Sequence, residues 1–195
     1  MKPFSLPLLV GVLMFSAQSF AQNDSQCKTL YKTENYQSAY RVCALAAQQG
    51  YVVGRYYAGV MMVQGLGGPK NEIQGVAYLE MAAEKGFSDA QRDLGTAYQL
   101  GIARKVNLDK AMYWYKEAVR NKNVPAMLYV ASLYHAGEGV EKDFPQSYAY
   151  TALAASYGSD QAIEALKALE GMAEFTPEVK EKGRKLKHQL IRELQ

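Results

Sequence analysis

Small and bulky apolar residues recur along this chain with a period far longer than one helical turn. A shift of 36 residues aligns the sequence with itself without gaps. Gly54, Ala90, Ala126 and Ala162 share one column, and Ala58, Leu94, Val130 and Leu166 share another. Small residues return at Gly59, Gly95 and Ala131, bulky ones at Met62, Tyr98 and Tyr134, and glycines at Gly65, Gly101 and Gly137. In the second half of each unit Val42, Tyr78, Trp114 and Tyr150 align, as do Ala46, Ala82, Ala118 and Ala154. Gly50, Gly86 and Gly158 close that half, with Lys122 as the exception.

This spacing predicts two helices per unit. In the first, helix A, residues four apart carry the apolar side chains on one stripe, as burial on one side requires. The glycine that follows suits a left-handed C-terminal cap. In the second, helix B, Asn71, Asn107 and Asp143 stand just ahead of the periodic stretch as N-caps. Gln74 and Gln146 follow three residues later, as in a capping box. Units of one helix pair cannot bury their own faces and must stack. The expected fold is all-α: a right-handed α-solenoid of antiparallel helix pairs with 36-residue repeats.

The ends depart from the pattern, as the outer faces of a stack must. Cys27 to Lys32 and Tyr36 to Gln49 read as a helical hairpin turning near Glu34 and Asn35. At the back, Ser159 caps a helix reaching about Gly171, and Thr176 with Pro177 starts a last one. Val179, Gly183, Leu186, Leu190 and Leu194 form its apolar stripe, read as a cap on the last repeat, with an amphipathic docking or dimerising helix as the competing reading. The expected division is 1–21 leader, 22–53 N-terminal capping hairpin and first helix B, 54–158 three repeats, and 159–195 C-terminal capping helices.

The motif A-x-x-x-L-G-x-x-Y-x-x-G, followed by K-A-x-x-W-Y-x-x-A, is met in full by Ala90, Leu94, Gly95, Tyr98 and Gly101, then Lys110, Ala111, Trp114, Tyr115 and Ala118. Over residues 36–166 the chain thereby resembles the Sel-one-like repeat family, relatives of the tetratricopeptide repeats. Gly75 and Ser147, where Ala39 and Ala111 set the pattern, and Lys122 with Asn123, where a glycine is usual, predict looser local packing. The resemblance implies a protein-binding adaptor or regulator of the bacterial envelope. Some similar exported proteins are immunity proteins that neutralise secreted antibacterial lipases.

Lys2 precedes an apolar run from Leu6 to Phe15, too short to span a bilayer, and Ser19 and Ala21 fit a signal-peptidase site. The expected mature chain begins at Gln22, in the periplasm or beyond it, with no membrane-spanning helix. Without the leader's Lys2 the formal charge of +3 falls to +2, too weak and too dispersed for a nucleic-acid footprint. Lys180, Lys182, Arg184, Lys185 and Lys187 sit among Glu178 and Glu181 and read as a solvated helix face.

Cys27 and Cys43 lie at equal distance from the Asn35 turn, which sets them level in an antiparallel pair. An exported chain favours their oxidation to a disulfide, and with no neighbouring histidine a metal or redox pair is the lesser alternative. Catalytic material is thin. His135 and His188 are far apart, no metal-binding spacing surrounds them, and His135 is expected on the outward side of its helix. No cofactor and no metal are expected. Ser25 and Lys28 form S-x-x-K, and some secreted relatives have been discussed as penicillin-binding or β-lactamase-like. Neither Ser-Asp-Asn nor Lys-Thr-Gly accompanies the pair, and Ser25 reads as an N-cap.

Helix A of each repeat is expected to line a concave face. Its side opposite the buried stripe carries Tyr56, Arg92 and Leu128, then Val60, Thr96 and Ser132, then Val63, Gln99 and His135. The nominated protein-partner contacts are Tyr56, Val60, Arg92, Thr96, Gln99, Leu128, Ser132 and His135; contact with a neighbouring helix is the competing explanation. The functional expectation is a non-catalytic, protein-binding solenoid, with a secreted β-lactamase-like or cell-wall hydrolase as the alternative.

Overall fold

A computed structural model describes residues 24–195. The expected leader and its cleavage site lie outside them. Ten helices and no strand occur among the described residues. They are α1 (24–32), α2 (Tyr36–Gln48), α3 (Val52–Gln64), α4 (Glu72–Ala83), α5 (Ser88–Leu100), α6 (Leu108–Arg120), α7 (Val124–Ala136), α8 (Phe144–Ser156), α9 (Asp160–Glu170) and α10 (Pro177–Glu193). The described residues divide into two compact units, one ending at Ala82 and the other spanning Ala83–Gln195.

One set of bonds repeats through both units and joins each helix A to its helix B. The N–H of Asn71 donates to Met62 O at 2.8 Å, that of Asn107 to Tyr98 O at 2.9 Å and that of Asp143 to Tyr134 O at 3.0 Å. Each bond satisfies a carbonyl that the last turn of helix A leaves without an intrahelical donor. The side chains of the same residues accept from Gln74 N, Lys110 N and Gln146 N, capping helix B. The capping box expected at Gln74 and Gln146 is therefore replaced, because the cap's own N–H is already engaged. Gln74 Oε1 instead accepts from the Asn71 side-chain amide at 3.3 Å. Between the two helices the chain turns at Gly65, Gly101 and Gly137, with φ of 73°, 73° and 74°, the left-handed region where a side chain is costly.

In the first unit α1 and α2 form a hairpin through Glu34 and Asn35, and Cys27 and Cys43 are joined by a disulfide with Cα atoms 5.0 Å apart. Both cysteines are fully buried. Asp24 contributes a second tie: its carboxylate accepts from Gly54 N at 3.0 Å, capping an α3 terminus whose own N-cap residue, Tyr51, makes no side-chain capping bond. Burial pushes the Asp24 carboxyl above its ordinary range, and the Gly54 and Val53 amides pull it back. Ser25, expected as an N-cap, lies within α1 and its carbonyl accepts from Thr29 Oγ1. Gly54 meets α2 so closely that a Cβ there would stand 2.5 Å from Ala46 Cβ.

The expectation of looser packing at the four departures fails at Gly75 and Asn123. A Cβ on Gly75 would come within 2.8 Å of Gly59 O, so glycine there marks a tight helix crossing. Ser147 is 2% exposed. Lys122 takes the left-handed φ of 58° that glycines take at Gly50, Gly86 and Gly158. Asn123 beside it is buried, caps α7 by accepting from Ala126 N, and donates to Asp89 at 2.9 Å.

In the second unit α5 to α9 pack successively, and α10 lies along α8. Gly183 permits this contact, since a Cβ would stand 2.6 Å from the Tyr148 ring. Val179 and Phe175 join Tyr148 and Ala152 in the same apolar cluster. The upper part of the α10 stripe is thus used within the unit.

The disulfide closes a 16-residue separation, and restricting the unfolded chain by that loop contributes about 3 kcal/mol on an entropic argument. Replacing both cysteines by serine is expected to destabilise the first unit by that order, and a reducing agent should shift the wild type equally. Urea unfolding with and without reductant measures it; unchanged midpoints would refute the contribution.

Candidate functional site

The nominated residues fall into three environments. In the first unit Tyr56 and Val60 are 9% and 8% exposed, buried rather than displayed. In the second unit α5 holds Arg92 against carboxylates on its own helix, Asp89 at 3.0 Å and Asp93 at 2.8 Å. Thr96 and Gln99, further along α5, serve Tyr115 of α6. The Tyr115 hydroxyl donates to Gln99 Oε1 at 2.7 Å and shares a bond with Thr96 Oγ1 at 3.1 Å. Leu128, Ser132 and His135 of α7 remain accessible in part, and all three line one groove.

How helices A and B fit together explains that groove. The helix B column Leu79, Tyr115 and Thr151 is buried throughout. It faces the helix A column Gly59, Gly95 and Ala131. A Cβ on Gly59 would stand 3.0 Å from Leu79, and one on Gly95 2.6 Å from the Tyr115 ring. Glycine therefore makes room for a bulky knob. Tyr115 is fully buried, and its ring stacks on Tyr129 of α7 with centroids 4.9 Å apart and planes 4° from parallel.

One repeat later, the same columns read Ala131, Thr151 and, for Tyr129, Ala165. Both rings of the stack are replaced by small residues, and a groove of about 240 Å³ opens there. Its walls are α7 (Leu128, Ala131, Ser132, His135) and α9 (Gln161, Ala165, Leu169). Ser147 and Thr151 of α8 form the floor. The Thr151 hydroxyl donates to Ser147 O at 2.9 Å, within its own helix.

His135 is not the outward surface residue expected. Its ring stacks on Phe175 at 5.9 Å with planes 9° apart and meets Phe144 edge-on at 5.7 Å. Sequence reasoning missed this because Phe175 belongs to the α9–α10 connection, outside the repeat. Nδ1 of His135 is buried and has no hydrogen-bond partner. A buried polar nitrogen without a hydrogen-bond partner is costly.

No group of three or more metal-ligating side chains occurs among the described residues. Ser25 and Lys28 are both exposed on α1. No helix of the described residues is long and apolar enough to cross a membrane.

Comparison with known proteins adds a family. The Sel1 repeat pattern matches residues 52–87, 88–123 and 124–159, more than half of the chain. A putative sel1-like repeat-containing protein of Acanthamoeba polyphaga mimivirus is 36% identical over 74 residues, 37% of this chain. The match spans only 14% of that relative's length. Among solved structures, a Sel1 repeat protein from Oxalobacter formigenes superposes with a TM-score of 0.69 at 21% identity, covering 95% of this chain and 83% of its own. A protective antigen of uropathogenic Escherichia coli with an SLR fold gives 0.71 at 24% identity, covering 88% and 38%. Helicobacter pylori cysteine rich protein B gives 0.52 at 22% identity, covering 73% and 96%. These likenesses establish the α-solenoid fold.

Burial pushes the Tyr115 hydroxyl up to about 12, from the ordinary value of 10.0. Above pH 10 the unfolded chain loses this proton first, so the stability it provides is complete below pH 10 and disappears as pH rises through about 12. Tyr115→Phe is expected to cost about 1 kcal/mol at pH 7, through the lost bonds to Thr96 and Gln99. The variant should also lose less stability than wild type between pH 9 and 11. Denaturant midpoints at the two pH values test both effects, and parallel losses in the two proteins would refute the assignment.

Proposed function

Because the chain belongs to the Sel1 repeat family, whose members are generally non-catalytic protein-binding scaffolds, we propose that it is an exported adaptor or inhibitor that grips a protein partner with α7 and α9. The observation that carries this reading is the groove beside Leu128, Ser132 and His135, apolar on its walls and polar at chosen points. Tyr56 and Val60 are buried, and Thr96 and Gln99 are bonded to Tyr115, which favours the groove over them as a partner surface. A buried disulfide suits an oxidising compartment, in keeping with the periplasm expected from the leader. The narrower form of the proposal, an immunity protein that neutralises a secreted antibacterial lipase, rests on the resemblance to exported relatives.

Leu128→Arg would place a charge on the groove wall at a half-buried position. It is expected to weaken capture of the partner at least tenfold in a pull-down from envelope extract, while the melting temperature moves by no more than a few degrees. Capture unchanged by this substitution would reject the groove as the binding surface. A coexpressed lipase that stays toxic in the presence of the wild-type protein would reject the narrower form.

A further inference from the structure

Resting on the protein-binding reading above, we propose that the groove is a tyrosine socket: it takes a phenol ring presented by the partner and holds its hydroxyl between Ser132 and His135.

The chain's own second repeat supplies the template. There Thr96 and Gln99 hold the hydroxyl of a buried tyrosine, Tyr115, whose ring stacks on Tyr129. A shift of 36 residues carries Thr96 onto Ser132 and Gln99 onto His135, so the two hydrogen-bonding positions persist. The same shift carries Tyr115 onto Thr151 and Tyr129 onto Ala165, so both rings are gone. In the first repeat these columns read Val60, Val63 and Leu79: an apolar knob with apolar neighbours. Polar rim and phenol knob are thus both absent from the first repeat and both present in the second, and only the third has the rim without the knob. There Ser132 and His135 line the groove, and the floor hydroxyl, Thr151, donates within its own helix.

Size and approach agree. A cavity of about 150 Å³ holds a benzene ring, and this groove offers about 240 Å³ with an open side. Ala131 carries the Cβ that Gly95 lacks, which bars a ring from lying as Tyr115 does. An incoming ring would enter from solvent instead and rest on Ala131 and Ala165. Leu128 and Leu169 would cover its faces, since both line the groove.

The test uses the full chain with its histidine side chains labelled for NMR. N-acetyl-tyrosinamide should shift the His135 ring signals saturably, and N-acetyl-phenylalaninamide should bind roughly three- to tenfold more weakly, the difference one hydrogen bond makes. Ser132→Ala with His135→Leu, followed through the Leu128 methyls, should keep ring binding and lose that preference. Ala165→Trp should block both probes. Equal affinity for the two amides, no saturable shift, or undiminished shifts in Ala165→Trp would each overturn the socket. Partner capture that depends on Leu128 but shows no tyrosine preference would sink the socket alone and leave the protein-binding reading standing.

Discussion

Everything in this fold depends on how close a helix A can come to its helix B. The spacing is set by small residues at the points of contact, and where it is tightest only glycine fits. Gly59 and Gly75 face each other so closely that a Cβ on either would stand 2.8 Å from the other's carbonyl oxygen. Gly95 admits the Tyr115 ring, and Gly183 admits Tyr148 against α10. Interiors pack to nearly crystalline density, so a small residue on one helix dictates the size of the residue opposite. The bond from each helix B cap back to helix A then fixes the register in which those sizes meet.

Register is why so much of the architecture is legible in the sequence. A 36-residue shift places glycines at helix ends, asparagine or aspartate at helix starts, and alanines at contacts, each for a local physical reason. Gly65, Gly101 and Gly137 do adopt the left-handed conformation their column suggests. Where the pattern breaks, however, inference from the family average fails. Gly75 replaces alanine because the crossing is closer, and Lys122 holds a glycine-like φ while Asn123 beside it makes buried hydrogen bonds. A departure from a repeat motif is a change in what packs there, not a weakness by default.

The features hidden from the sequence lie outside the repeat. Asp24 caps a helix that starts 28 residues further on, and no local spacing announces an N-cap supplied by another helix. Phe175, fully enclosed against His135 and Tyr148, comes from a connection that the periodicity does not reach. Placing Thr96 and Gln99 on one helical face is straightforward, but the sequence does not say that they face Tyr115 of the next helix. Helical spacing assigns a side, and only the neighbouring helices decide whether that side is open.

In the third repeat the column sizes are mismatched. Ala131 opposite Thr151, with Ala165 where Tyr129 stood a repeat earlier, removes two rings without supplying a substitute. An apolar core would be expected to close such a gap, at a cost that depends on how far the helices can shift. Here the Asp143 to Tyr134 bond ties α7 to α8, and α10 packs along α8. Phe175 holds His135 in its stacked orientation. The gap therefore persists as a groove with walls fixed in advance, and a ligand entering it would lose little free energy in ordering them. Repetition confers the stability, and a single lapse in it leaves a groove.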